Sequence, residues 1–573
     1  MAPVRIAAVA AAAAFFMSPA LMGSPAHAVQ QAPPAEAERT DTEAGARRAA
    51  LRSGERVEVG SLRTETRTVY ATPEGRFVLE QHARPVRVRQ NGRWAEVDTT
   101  LRRLPDGSVA PVATAVGLRF SGGGKAPMAT VARGARSLAL SWPGELPAPV
   151  LDGPTATYPE VLKGVDLKVT ADVDGFSHVL VVKSRQAAAK LGKLRFSLGS
   201  EGLKVREGNG GGLQAVDEAG AEVFAAPTPL MWDSPGSSAA ARAVEPGRGV
   251  PPGSRHEAMG LEVSGETLEL TPDQAMLSDP ATRYPVYLDP SVSAPRGAWA
   301  AVWQRYPNTN YLNAADVARV GHESQTGHTN RSFFQLNNGN AIHGKQIIRA
   351  TFRIYEDWSW SCSPRPVELW LTSMIGNTTT WNNQPAWVTW LDTEHVAKGW
   401  GAGCPPGGVE FDATHAAARA AAENWPHITL GLRAADERDT YAWKKFNSNP
   451  VLVIEYNSPP ATPAAADVWS DPGGACTTVA GTATPGCTRG CTTATTRCAA
   501  ASSGTTATPG WASSSPPRPA RATRSTPPSR RGRTRTDPRS GGACAPRTGS
   551  PPAAGARGAS SASTPPPRNA SPR

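Results

Sequence analysis

The chain has 573 residues, with 60 Lys and Arg against 49 Asp and Glu and a net charge of +11. No apolar run reaches the ~20 residues that a membrane-spanning helix needs, so no membrane span is expected. The positive charge would ordinarily indicate an anionic partner, but residues 480–573 hold 14 Arg, no Lys, no Glu and only Asp537, a charge of +13 that leaves −2 on the 479 residues before them. A nearly neutral remainder argues against nucleic acid as partner.

In chain order, Arg5, an uncharged run from Ile6 to Met17 and then Ala26-His27-Ala28 follow the layout of a secretory signal, which predicts cleavage after Ala28. The mature protein is therefore expected outside the cell, secreted or held at the cell wall. Residues 29–55 are rich in Ala, Glu and Arg and read as a leader with a helix-prone end. From 56 to 292, short runs such as Arg67–Ala71, Arg76–Leu79, Val86–Arg89, Trp94–Val97, Val165–Thr170 and His178–Val182 have strand composition. They are separated by Asn91-Gly92, Asp106-Gly107, Asp152-Gly153 and Asp174-Gly175 turns, which predicts an N-terminal antiparallel β domain with one short helix over Gln186–Lys193. Ser234–Arg255 reads as a long loop or internal linker.

Residues 298–457 form a second region. Val317–His322, Ser332–Leu336, Ile347–Glu356, Val367–Thr372, His427–Arg433 and Val451–Tyr456 each have strand composition, often with period-two alternation, and their near-regular spacing suggests a β-sandwich. Ala416–Glu423 is a helix that Asp412 or Thr414 can cap. Residues 458–479 read as a linker or the start of a truncated module. Beyond Val479 there is no Leu, Ile, Val, Phe, Tyr, Met, Lys, Glu, Gln or His, so the tail cannot bury a core and is expected to be disordered. Its alphabet is almost wholly that of codons with G or C in the middle position, the pattern a one-base shift produces in a GC-rich gene. Translation is therefore expected to leave the ancestral frame near Cys476–Ala480, which would deprive the tail's charge of a selected role.

Eleven of the 16 tryptophans lie between Trp299 and Trp443, and such rings serve equally in core packing and in stacking on a flat ligand. Within the two β regions the only cysteines are Cys362 and Cys404, and in an oxidising compartment they are expected to form a disulfide. His322, His328 and His343 have no metal-ligand spacing. Asp172-Val173-Asp174-Gly175 opens like a calcium loop but lacks the later acidic ligand, so no cofactor is expected and structural calcium has no motif behind it. No nucleophile elbow, Cys/His pairing or zincin helix occurs, and Glu410 with Asp412 are read as finishing a strand and capping a helix. The expectation is a protein that is not an enzyme.

Asn310-Tyr311, Ala318-Arg319-Val320-Gly321, Arg331-Ser332-Phe333-Phe334, Thr379-Thr380-Trp381-Asn382-Asn383, Trp443-Lys444-Lys445-Phe446 and Glu455-Tyr456 together resemble the DNRLRE domain of secreted actinobacterial proteins, whose relatives include disaggregatase-type carbohydrate-binding modules. Phe120-Ser121-Gly122-Gly123-Gly124 and Gly164-Val165-Asp166-Leu167 resemble the N-terminal part of the same proteins, in which laminin-G-like or RHS modules often follow. The resemblance implies a jelly-roll-like β-sandwich that recognises cell-wall or environmental polysaccharide without catalysis. The residues suited to a sugar face and its hydroxyls are Trp358, Trp360, Trp387, Trp390 and Trp400 with Glu356, Asp357, Asn382 and Asn383. Trp381 with Pro385 suits a packed corner instead. A display scaffold without its own ligand, the front of a larger modular protein, is the alternative expectation.

Overall fold

A computed structural model describes residues 39–459 except 209, 237–248, 252, 290, 294–298 and 315–316, together with the backbone of the short strands Val468–Asp471 and Gly486–Arg489. The expected signal segment, its cleavage after Ala28 and nearly all of the 480–573 tail lie outside the described residues. What is described is all-β, with antiparallel pairing in every sheet save the parallel contact of Arg39–Thr40 with Val57–Val59.

Residues 98–293 build one sandwich. An 8-stranded sheet with edges at Asp98–Arg103 and Gly260–Ser264 faces an 11-stranded sheet that includes Val165–Asp172 and Gly175–Val182. Strict alternation along Val165–Asp172 sends Val165, Leu167, Val169 and Ala171 inward. They meet Phe120, Phe176, Phe196, Phe224 and Leu270 in one core. The expected helix is shorter than read, Arg185–Ala188, and Ser184 caps it.

The second sandwich does not follow the order of the segments. Its sheet runs Val57–Val59, Arg67–Ala71, Phe77–His82, Val451–Asn457, Gln346–Ser359, Lys444–Phe446, Ala318–Glu323, His328–Asn337, His427–Ala434, Arg365–Thr372 and Trp387–Val396. Strands from the start of the chain therefore complete the sheet of the region 299–457, with Val78 opposite Glu455 and Phe77 opposite Tyr456. The helix-prone end of the leader is the helix Glu43–Ser53, capped by Thr42, with Ala46, Ala49 and Ala50 in the core. Its Glu43 accepts from Lys345 Nζ at 2.9 Å, Tyr456 Oη at 3.2 Å and Ser458 Oγ at 2.7 Å, so it is anchored rather than a loose leader. At the start of the later helix, Thr414–Glu423, Asp412 Oδ1 accepts from the Thr414 amide at 2.8 Å, while Thr414 Oγ1 accepts from the Ala350 amide at 3.0 Å.

Buried charges tie the sandwiches together. Arg84 pairs with Asp172 at 2.7 Å and Asp174 at 2.6 Å, which explains the acidic run that opens like a calcium loop. The Val250 carbonyl accepts from Arg319 Nη2 at 3.0 Å and Lys445 Nζ at 2.7 Å.

His178 and His256 are buried with no hydrogen-bond partner on either ring nitrogen. Burial lowers His178 to about 3 and His256 to about 4. Each stays neutral in the fold while the unfolded chain takes up a proton below its ordinary value near 6.5. Their contribution is therefore complete above that value and is lost as pH falls toward 4, by up to about 1.4 kcal/mol per pH unit for each ring. His178→Leu, set between Phe176 and Phe196, is expected to shrink the drop in urea-unfolding free energy between about pH 7 and about pH 5. An unchanged drop would remove His178 from the account.

Candidate functional site: two tryptophan clusters and a buried Glu-Lys pair

The tryptophans divide into two clusters with different chemistry. The first lies where Gln346–Ser359 meets Lys444–Phe446. Trp358, only 6% exposed, stands edge-on to Trp443 at 5.0 Å and to Trp360 at 6.1 Å. Lys445 Nζ lies 5.8 Å from both the Trp358 and Trp443 rings, a cation held over aromatic faces. Trp358 is thus committed to packing, and the T-shaped pair with Trp360 offers no coplanar platform.

Glu356 and Lys444 lie on the other side of these strands. Period-two alternation places Glu356 in line with the core residues Phe352 and Ile354, and Lys444 in line with Phe446. Both side chains are fully buried, and Lys444 Nζ lies 3.6 Å from Glu356 Oε1, an ion-pair contact too long for a hydrogen bond. Nζ donates to Ser359 Oγ at 2.8 Å. Burial raises the Glu356 carboxyl to about 7 against the opposing pull of Lys444, and burial also lowers Lys444. Asp357, half-buried, presents its carbonyl to Gly399, whose φ of +79° and missing Cβ let the next loop approach. That loop carries the disulfide Cys362–Cys404, with Cα atoms 5.9 Å apart, as expected from the sequence.

The second cluster is a ladder of alternating rings and guanidinium groups. Arg331 lies 4.7 Å from the Trp381 ring and 5.6 Å from Trp387, and Arg433 lies 5.0 Å from Trp387 and 4.3 Å from Trp370. Glu437 pairs with Arg331 at 2.6 Å and Glu368 with Arg433 at 2.9 Å, so the ladder carries no net charge. The corner before it is held by Asn382 Nδ2 donating to Asn308 Oδ1 at 2.9 Å and Asn383 Nδ2 donating to the Thr378 carbonyl at 2.8 Å. Trp390 and Trp400 are 52% and 57% exposed, and Trp390 lies cross-strand from Trp370 at the outer end of the ladder. The nine expected ligand residues are therefore not gathered on one surface.

The sequence reading missed a polar groove of about 370 Å³ lined by Arg56, Glu74, Glu80, Arg349, Arg353 and Glu455. Its three arginines face three glutamates, with Arg349 3.7 Å from Glu455, and Arg353 pairs outside the groove with Glu410 at 2.9 Å. The outward positions of the paired strands Phe77–His82, Val451–Asn457 and Gln346–Ser359 create it, so the signal was the alternation of Arg and Glu opposite the core residues. Among the described residues, no group of three or more His, Cys, Asp or Glu could hold a metal ion.

No family model matches the chain. The tRNA nuclease WapA of Bacillus subtilis is 28% identical to it over 250 residues, and the tRNA3(Ser)-specific nuclease WapA of Bacillus spizizenii matches equally; the alignments take in 41% of this chain and 10% of the relatives. The chain thus spans about a tenth of the length of these curated relatives. Among solved structures, a beta-porphyranase of glycoside hydrolase family 86 from Bacteroides plebeius matches with a TM-score of 0.13 at 8% identity, covering 53% of this chain and 39% of that one. The ANX2 ectodomain of Arabidopsis thaliana matches with a TM-score of 0.14 at 8% identity, covering 66% and 97%. Likenesses this weak carry no argument.

The nuclease names overturn three expectations: a non-catalytic binding or display protein, a protein that is not an enzyme, and the exclusion of nucleic acid as partner. Those expectations rested on the lack of a catalytic motif here and on discounting the tail's positive charge. A stretch shared with a much longer protein need not contain that protein's reactive groups. No helix among the described residues is long and apolar enough to cross a membrane.

The two tryptophan environments predict opposite costs. Trp443→Ala removes a buried ring from the first cluster and is expected to cost about 3–5 kcal/mol in denaturant unfolding, whereas Trp390→Ala should stay within about 0.5 kcal/mol. Equal costs would contradict this division. Reducing Cys362–Cys404, which close a 42-residue separation, is expected to cost about 4 kcal/mol by loop entropy, read as a lower unfolding midpoint in reductant.

Proposed function

We propose that this protein is an exported nuclease directed at tRNA, and that the stretch it shares with the WapA proteins is its link to that activity. The observation supporting this is the 28% identity over 250 residues with proteins named as tRNA nucleases. The +13 charge of residues 480–573 is compatible with a polyanionic substrate, because Arg side chains displace counterions from phosphates. Export is supported by the signal-like residues 1–28 and by the Cys362–Cys404 disulfide, which suits an oxidising compartment. We read residues 298–457 as a DNRLRE-like β-sandwich on the motifs set out above.

The test uses the full chain without its signal, folded and with its disulfide intact, incubated with total bacterial tRNA and resolved on a denaturing gel. Discrete tRNA fragments and salt-sensitive retention of tRNA are expected. Intact tRNA together with no retention at low salt would overturn the proposal.

A further inference from the structure

The buried Glu356 and Lys444 have a chemistry that an ordinary ion pair does not explain. Their side chains show no exposure. Neither Glu356 oxygen meets a donor at full hydrogen-bond geometry; the Lys398 backbone amide and Lys444 act on the carboxyl, whereas a buried carboxylate normally requires several well-formed bonds. The nearest cation stands beyond hydrogen-bonding distance. Burying two charges in this way costs more than their attraction returns unless the remaining polar atoms are satisfied.

The backbone holds the two groups against each other. Glu356 and Lys444 lie on hydrogen-bonded neighbouring strands, and the register breaks between Glu356 and Trp358. That break lets Lys444 reach both Ser359, at 2.8 Å, and Glu356, at 3.6 Å. Without it, residues three apart on a strand would face opposite sides. The 3.6 Å is to Oε1, one bond from the Cδ that the amine would have to reach, so the two groups are neighbours with no side chain required to cross the core.

We propose that Glu356 and Lys444 condense into an intramolecular amide that covalently joins their two strands. The neutral amine of Lys444 attacks Glu356 Cδ and forms the Cδ–Nζ bond. The bond from Cδ to its hydroxyl oxygen breaks, and that hydroxyl leaves with one Nζ proton as water. Acid and amine become amide and water, with no oxidant, reductant or activating co-reactant. Burial shifts both groups toward the neutral forms that the reaction uses. Asp439, Arg365 and Lys398 are the other charged groups acting on the pair. In water the separated ions would dominate. In a dry core the ions lose their hydration, the reactants have a high effective concentration, and the amide leaves no buried charge.

The experiment is peptide mass spectrometry of the full chain, reduced and digested. The expected product is a branched peptide joining the segments that contain Glu356 and Lys444, lighter by one water than their sum. Glu356→Ala and Lys444→Met should each abolish it. Glu356→Gln should restore a branched peptide of the same mass, now formed with loss of ammonia. Two unmodified linear peptides from folded wild-type protein, whose fold is verified by the closed Cys362–Cys404 disulfide, would overturn the proposal. That result needs no variant to fold.

Discussion

Strand Val451–Asn457 is hydrogen bonded on one side to Gln346–Ser359 and on the other to Phe77–His82, and the rest of the structure depends on this meeting of distant chain segments. An open edge at Val451–Asn457 would expose a row of unpaired backbone groups and strip Tyr456 of its stacking partner Phe77, 5.5 Å away. Once Phe77–His82 fills that edge, Arg84 is delivered to Asp172 and Asp174 of the other sandwich. The helix Glu43–Ser53 is likewise drawn onto the same core. The long loop that closes this arrangement has an entropic cost that grows only slowly with its length, so the apolar contacts at the junction can offset it.

The strand Lys444–Phe446 shows how the fold accommodates buried cations. Because it is covered on both faces, its alternation sends Lys444 and Lys445 into separate interiors. Lys445 finds the Val250 carbonyl and two indole rings. Lys444 finds the Ser359 hydroxyl and an unsatisfied carboxyl. The two lysines are adjacent in sequence, yet they meet different chemistry on the two faces of the strand.

Much of the fold was legible because its strands obey a local rule. Ile347–Glu356 and Val165–Thr170 alternate clearly enough that their faces follow from composition, and the structure extends them by only a few residues. The segment Glu43–Ser53 was harder to read because alanine favours a helix without indicating what the helix packs against; its burial depends on residues four hundred positions away, Tyr456 among them. Alternation also placed Trp358 and Trp360 on one face, and the two rings do meet beside Trp443, edge-on rather than coplanar; what alternation missed is the register break between Glu356 and Trp358, which sets Trp358 on the face opposite Glu356. No local pattern announces such a break. The Trp-Arg ladder was hidden for another reason: Arg331, Trp370, Trp387 and Arg433 come from four different strands and become neighbours only through sheet order.

The corner beside Glu356 concentrates the covalent chemistry of the fold for a mechanical reason. At a register break the ladder forfeits regular hydrogen bonds, so two strands are held least well where their pairing shifts. Around that point the chain adds the Trp360 amide donating to the Trp443 carbonyl at 3.0 Å, the packed ring of Trp358, and the close approach of Gly399 to the Asp357 backbone. The disulfide begins at Cys362, just beyond the strand end at Ser359, and pins the loop carrying Gly399. An amide between Glu356 and Lys444 would cross the same break from the core side. One tie restrains the loop outside the sheet and the other the strands within it, so neither makes the other redundant.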